Sequence, residues 1–192
     1  MLNRKFFFDN VRRTLFDGRL TEGQVKGLSA ILDEWESKHA QQDDRWLAYM
    51  LATTHHETDR KMMPIEEYGK GKGRPYGGRV RMDRKPYTDT TALFYGRGFV
   101  QLTWYENYQK AGRLLGLDLL HQPALCLELK AATQILFAGM MDGWFTGRKL
   151  SQYFNGQKED WVNARRIING LDKANLIASY ALRYYGSISY TV

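Results

Sequence analysis

Apolar residues recur at helical spacing along most of this chain, and the pattern breaks between residues 58 and 98. Phe7, Val11 and Leu15, with Phe8 alongside, mark one face of a helix over residues 3–16. Thr21, followed by Glu22 and Gln24, has the residue types of a helix start, and Val25, Leu28, Ile31, Leu32 and Trp35 continue as a stripe. Residues 44–57 place Leu47, Met50, Leu51 and Thr54 on one face and end in His55-His56-Glu57. Helices are also predicted over 129–145, 161–168 and 175–185.

Residues 58–98 contain seven glycines from Gly69 to Gly98 together with Pro64, Pro75 and Pro86, and helical periodicity is lost. Loops longer than ~12–15 residues are uncommon in compact domains unless they carry function or are disordered. This segment is expected to wall a cleft, with a short hairpin in it. No repeat or Pro/Ser-rich linker divides the chain, so residues 1–192 read as a single, mainly α domain.

Charge and cysteine usage narrow the classes. No window approaches the ~18 apolar residues of a membrane span. The N-terminal patch Phe6-Phe7-Phe8 is cut off by Asp9, Asn10, Arg12 and Arg13, so no signal peptide is expected. The lone Cys126, in an apolar run, excludes an internal disulfide framework and reads as a buried, inert thiol. The formal charge of +7 suits an anionic partner such as nucleic acid, anionic lipid or an acidic wall polymer; solubility alone is the competing explanation. The cations of one run, Lys70, Lys72, Arg74, Arg79, Arg81, Arg84 and Lys85, either grip such a polymer or form a solvated loop.

Two carboxyl groups facing one cleft in different surroundings are what glycosidic hydrolysis needs: one protonates the leaving oxygen, the other activates water or attacks the sugar. Glu57 stands where a striped helix meets the glycine-rich loop, and the negative end of a helix suits a group that must hold a proton. Glu66 and Glu67 follow on the loop. His55 and His56 do not make a zinc site, because adjacent histidines point about 100° apart on a helix. Gly69-Lys70-Gly71-Lys72-Gly73-Arg74 lacks the spacing of a phosphate-binding loop. No metal or cofactor is therefore expected. Nor is there helix-turn-helix spacing to support nucleic-acid binding. Trp104, Tyr105 and Tyr108 read as core or as sugar-stacking rings, and Trp144, Phe145 and Trp161 as packing.

Three runs resemble glycoside hydrolase family 19, which includes chitinases and phage endolysins: 52–58 (ATTHHET), 94–104 (FYGRGFVQLTW) with Asn107-Tyr108, and 164–170 (ARRIING). Residues 63–71 (MPIEEYGKG) resemble the phage and prophage branch. The resemblance implies a bilobed, lysozyme-like α fold, with Glu57 as general acid and Glu67 as general base holding water with the Thr103 hydroxyl. Glu66 is the alternative base. Gln101, Asn107, Asn169 and His56 would contact substrate, with Tyr95 and Arg97 shaping the cleft floor. Inversion is implied, and with it a carboxyl separation of roughly 6.5–9.5 Å. Plant members follow the acid with a Gly-Gly pair, where this chain has Asp59-Arg60, and their gap to the second carboxylate is longer. The expected activity is muramidase-type cleavage of peptidoglycan by a monomeric endolysin. It would accumulate in the cytoplasm of an infected or lysogenic bacterium and then act in the periplasm and cell wall. A chitinase, or a non-catalytic wall- or nucleic-acid-binding module, is the alternative.

Overall fold

The computed structural model describes residues 1–191. α1 (Arg4–Leu15) and α2 (Glu22–Glu34) lead into a π-helical turn at Trp35–His39, then α3 (Asp44–Glu57). β1 (Ile65–Glu66) and β2 (Arg97–Gly98) bracket the glycine-rich segment, which contains a 3-10 turn at Pro75–Gly77. α4 (Tyr105–Leu115), α5 (Leu129–Asp142), a small hairpin of β3 (Phe154–Asn155) and β4 (Lys158–Glu159), and α6 (Ala174–Tyr185) complete the chain. Among the described residues no helix is long and apolar enough to cross a membrane.

Local chemistry explains the boundaries. The Thr21 hydroxyl accepts from Gln24 N–H while the Gln24 side chain accepts from Thr21 N–H, a reciprocal cap that starts α2. Asp43 caps α3 by accepting from Arg45 N–H at 3.0 Å. α5 stops at Asp142, short of the expected 145, because Gly143 adopts φ 75°, a left-handed cap. The 161–168 stretch forms only a 3-10 helix at Asn163–Ile167.

α3 is the centre of the molecule. Residues 47–55 are all buried, the polar Thr53, Thr54 and His55 among them, so the helix is enclosed on nearly every side rather than along a stripe. It packs most extensively against α6. One continuous core joins Phe7 and Val11 of α1, Leu28, Ile31 and Leu32 of α2, Trp35 of the π-helical turn, α3, Leu136 and Phe137 of α5, and Tyr184 of α6. Cys126 lies within this core, and burial pushes its thiol up to about 12. The position of Glu57 is thus set by the most deeply packed helix.

His55 lies inside the α3–α6 contact, its Nδ1 3.0 Å from the Tyr184 hydroxyl, with its ring against Phe16 and Tyr180. Burial holds its pKa down to about 4, helped by the nearby cations Arg60, His56 and Arg183. Between the ordinary imidazole value of 6.5 and about 4, the unfolded chain binds a proton that the fold refuses, so stability falls as pH drops through that window. The loss should approach ~3 kcal/mol. Denaturant titrations at pH 7 and 4.5 should show His55→Gln losing less stability than the parent chain; equal losses would place the acid sensitivity elsewhere.

Candidate active site

The end of α3, the β1–β2 pair, the start of α4 and the chain just after Asn163–Ile167 converge on a cleft of about 490 Å³. Glu57, Glu67, Gln101, Thr103, Asn107 and Asn169 all line it. Six residues singled out from sequence are therefore brought together from positions spread over more than a hundred residues.

Glu57 is the last residue of α3. Thr58 closes that end: its N–H and hydroxyl both donate to Thr54 O, at 3.0 and 2.7 Å, and its Oγ1 accepts from Met62 N–H at 3.0 Å. Asp59 and Arg60 then take a left-handed backbone, at φ 50° and 64°. Such a conformation costs a non-glycine residue about 1–2 kcal/mol. Arg60 offsets part of this by donating to Asp17 Oδ2 at 2.6 Å and to Leu15 O at 3.2 Å. Glu57 Oε1 accepts from Arg165 Nη1 at 2.6 Å. Arg165 is buried and also donates through Nε to Asp172 O. A positive charge thus faces Glu57 where the helix end alone would supply a negative field. Arg165 belongs to the 164–170 run, but helical periodicity gave no sign of its partner.

The adjacent glutamates are separated by strand alternation. Ile65 pairs with Gly98 and Glu66 with Arg97. Glu66 Oε1 accepts from the Tyr95 hydroxyl at 2.7 Å and from Arg97 Nε at 3.1 Å. These bonds, Tyr95 first, hold the Glu66 carboxyl below its ordinary value against the opposing effect of burial. It is absent from the cleft wall. Glu67 points the other way, Oε1 accepting from the Tyr76 hydroxyl at 3.2 Å and Oε2 from Gly96 N–H at 3.1 Å. A Cβ at Gly96 would fall 2.7 Å from Gln101 Oε1 and 3.3 Å from Glu67 Cβ, so a larger residue here would push the Gln101 amide aside.

Three residues named for the site from sequence stand outside the cleft lining. Tyr95 and Arg97 do not line the cleft; they are buried behind its floor. The Arg97 guanidinium lies 3.7 Å from the centre of the Tyr95 ring and donates to Leu93 O and to the Tyr108 hydroxyl. Those bonds are consumed in holding the β1–β2 pair. His56 is half-buried and also outside the lining; burial lowers its pKa, with Glu57 opposing. Gln101 does line the cleft, but its amide donates to Ile65 O and Gly98 O, leaving Oε1 to accept from a ligand. Phe145, assigned to packing from sequence, forms part of the wall, as do Tyr76 and Met82, which carried no sequence signal.

Known proteins resemble this chain in sequence and in fold. The family model for glycoside hydrolase family 19, described as chitinase class I, matches residues 36–152, and the chain belongs to that family. An endochitinase (CH5B) of Phaseolus vulgaris is 36% identical over 96 residues, 50% of this chain and 26% of that protein. An "Inactive chitinase-like protein 1" of Hevea brasiliensis is 56% identical over 32 residues, 17% of this chain and 10% of that protein. The matched region thus spans about a quarter or less of these curated relatives. Among solved structures, the family 19 class IV chitinase of Zea mays aligns with TM-score 0.58 at 16% identity, covering 94% of this chain and 90% of that one. Chitinase C of Streptomyces griseus aligns with TM-score 0.60 at 21% identity, covering 95% and 75%. These two share the lysozyme-like fold.

The Tyr76 hydroxyl donates one of the two hydrogen bonds that orient Glu67. Tyr76→Phe should lower turnover about fivefold, the worth of one such bond, with little change in KM. Unchanged turnover would show that the bond does not orient the carboxylate during reaction.

Proposed function

We propose that the protein hydrolyses β-1,4 glycan bonds of bacterial peptidoglycan with inversion, as a muramidase-type endolysin of a phage or prophage. The observation that carries the catalytic part is the exposure of Glu57 and Glu67, and not Glu66, to one cleft. Glu57 donates a proton to the leaving glycosidic oxygen, and Arg165 Nη1, 2.6 Å from its Oε1, stabilises the carboxylate that the transfer leaves. Glu67, oriented by Tyr76 and Gly96, takes a proton from a water that the Thr103 hydroxyl helps to hold, and that water attacks the opposite face of the sugar. Gln101 Oε1, Asn107 and the Asn169 amide fix the sugars by hydrogen bonds, with Asn169 Oδ1 already accepting from Gly170 N–H at 2.8 Å.

The choice of polymer rests on charge. Peptidoglycan bears lactyl and peptide carboxylates, chitin is neutral, and the chain carries 28 Lys and Arg against 21 Asp and Glu. The resemblance of residues 63–71 to the phage and prophage branch supports the endolysin role and, with it, action on the wall from the periplasmic side. A chitinase is the second reading, favoured by the names of the relatives. A non-catalytic module is the third, favoured by the short match to the inactive Hevea protein.

Turbidity loss in outer-membrane-stripped Gram-negative cells, cleavage of soluble chitin and DNA binding should be assayed side by side. Lysis with little chitin cleavage and no DNA binding is expected. Chitin cleavage without lysis would transfer the site to a chitinase, and binding without cleavage would remove the enzyme reading altogether. Glu57→Gln and Glu67→Gln should each lower turnover about 10²–10⁴-fold. Glu66→Gln should instead lower stability, by ~1 kcal/mol for a partly exposed ion pair, and leave turnover of the folded enzyme within severalfold.

A further inference from the structure

The basic run between Lys70 and Lys85 is not one uniform patch. Lys70 and Lys85 have carboxylates of their own, Glu66 and Asp83, each at 3.5 Å. Arg84 has none within ion-pair distance among the described residues; its guanidinium instead lies over the Trp104 ring, 5.7 Å from the centroid. Trp104 lines the catalytic cleft, and so does Met82, two residues before Arg84. Arg84 is therefore an exposed, uncompensated cation at the cleft mouth.

The turn that presents it is built rather than loose. Val80 and Pro86 form an antiparallel bridge, Arg81 N–H donates to Lys85 O at 2.8 Å, and Arg84 N–H donates to Arg81 O at 3.0 Å. The turn is fastened to the start of α4: Glu106 Oε1 accepts from Met82 N–H at 3.0 Å, and the Arg81 guanidinium lies 4.1 Å from the centre of the Tyr105 ring. Arg84 itself sits at φ 69°, where glycine is the favoured residue. A long cation held in a strained position beside a catalytic cleft, in a segment rich in glycine, has an explanation if its charge is used.

We infer that Arg84, presented by the Arg79–Lys85 turn at the Trp104 edge of the cleft, is an anion-recognition site that selects glycan chains bearing carboxylates. A planar guanidinium on an indole face can pair a carboxylate edge-on while a sugar runs beneath it along the cleft. For its biological ligand, the lactyl or stem-peptide carboxylate of peptidoglycan, the inference rests on the function proposed above; the charge preference itself does not.

The test uses two polymers with one backbone, carboxymethyl chitin and the neutral glycol chitin, and the full chain carrying Glu57→Gln so that bound glycan is not turned over. Tighter binding of the carboxymethylated polymer is expected at low salt, with the preference vanishing near ~1 M salt. Adding Arg84→Gln should reduce that preference about two- to fivefold, and Arg84→Lys should restore part of it. Equal weakening toward both polymers, or no change toward either, would overturn the assignment. Lysis of stripped cells by the unmodified protein separates the two claims. A charge preference that depends on Arg84 without lysis would support the anion site and remove the peptidoglycan reading; lysis without any charge preference would overturn the anion site and leave that reading standing.

Discussion

Two residues of antiparallel pairing decide which glutamate faces the cleft. Side chains alternate along a strand, so the register that sets Glu66 against Arg97 turns Glu67 toward the cleft. A slip of one residue would exchange them. So short a ladder cannot hold its own register, and neighbouring side chains do it instead. Arg97 is locked between Glu66, the Tyr95 ring and the Tyr108 hydroxyl. Gln101 bridges the backbone of both strands through Ile65 O and Gly98 O. The 94–104 run thus serves mainly as a frame for the second carboxylate, and only some of its residues face the cleft.

The first carboxylate is positioned by a different means. α3 is buried along most of its length against α6 and the rest of the core, so its last residue has little freedom. The turn after it takes a left-handed path without glycine, with Arg60 tied to Asp17 and Leu15. Arg165 then reaches Glu57 from more than a hundred residues further along the chain. One side of the cleft is rigid through core packing and the other through polar locking. Such an arrangement suits two groups that must stay apart while a water and a sugar pass between them.

Much of this was legible in the sequence where the signal is periodic or motif-like. α1 and α2 follow their apolar spacing, α2 also its Thr21 cap, α3 is buried well beyond its stripe, and the loss of periodicity from residue 58 marks the cleft wall and its short strand pair. Glu57, Glu67, Thr103, Gln101, Asn107 and Asn169, all named from the motifs, line one cleft. α4 was not foreseen: Tyr105, Tyr108, Ala111 and Gly112 form its buried face, but three aromatics in a row of five residues read equally well as core or as a stacking platform. Tyr95 and Arg97 were placed at the cleft floor because a motif names residues without saying which way they point. Tyr76, Met82 and Arg165 reach the site only through tertiary contacts, which no local pattern encodes. For the same reason the helix-end field at Glu57 was visible from sequence while the guanidinium opposing it was not.

The central claim is that Glu57 and Glu67 act across one cleft as separate acid and base, with water between them. The anomeric form of the first product reports this directly. Proton NMR, recorded during cleavage of the soluble β-1,4 glycan that the enzyme cuts fastest, should show the new reducing end appearing as the α anomer before mutarotation. Appearance of the β anomer would mean a double displacement, with an enzyme carboxylate or the substrate's own acetamido group attacking first, and would contradict direct attack by a water held at Glu67.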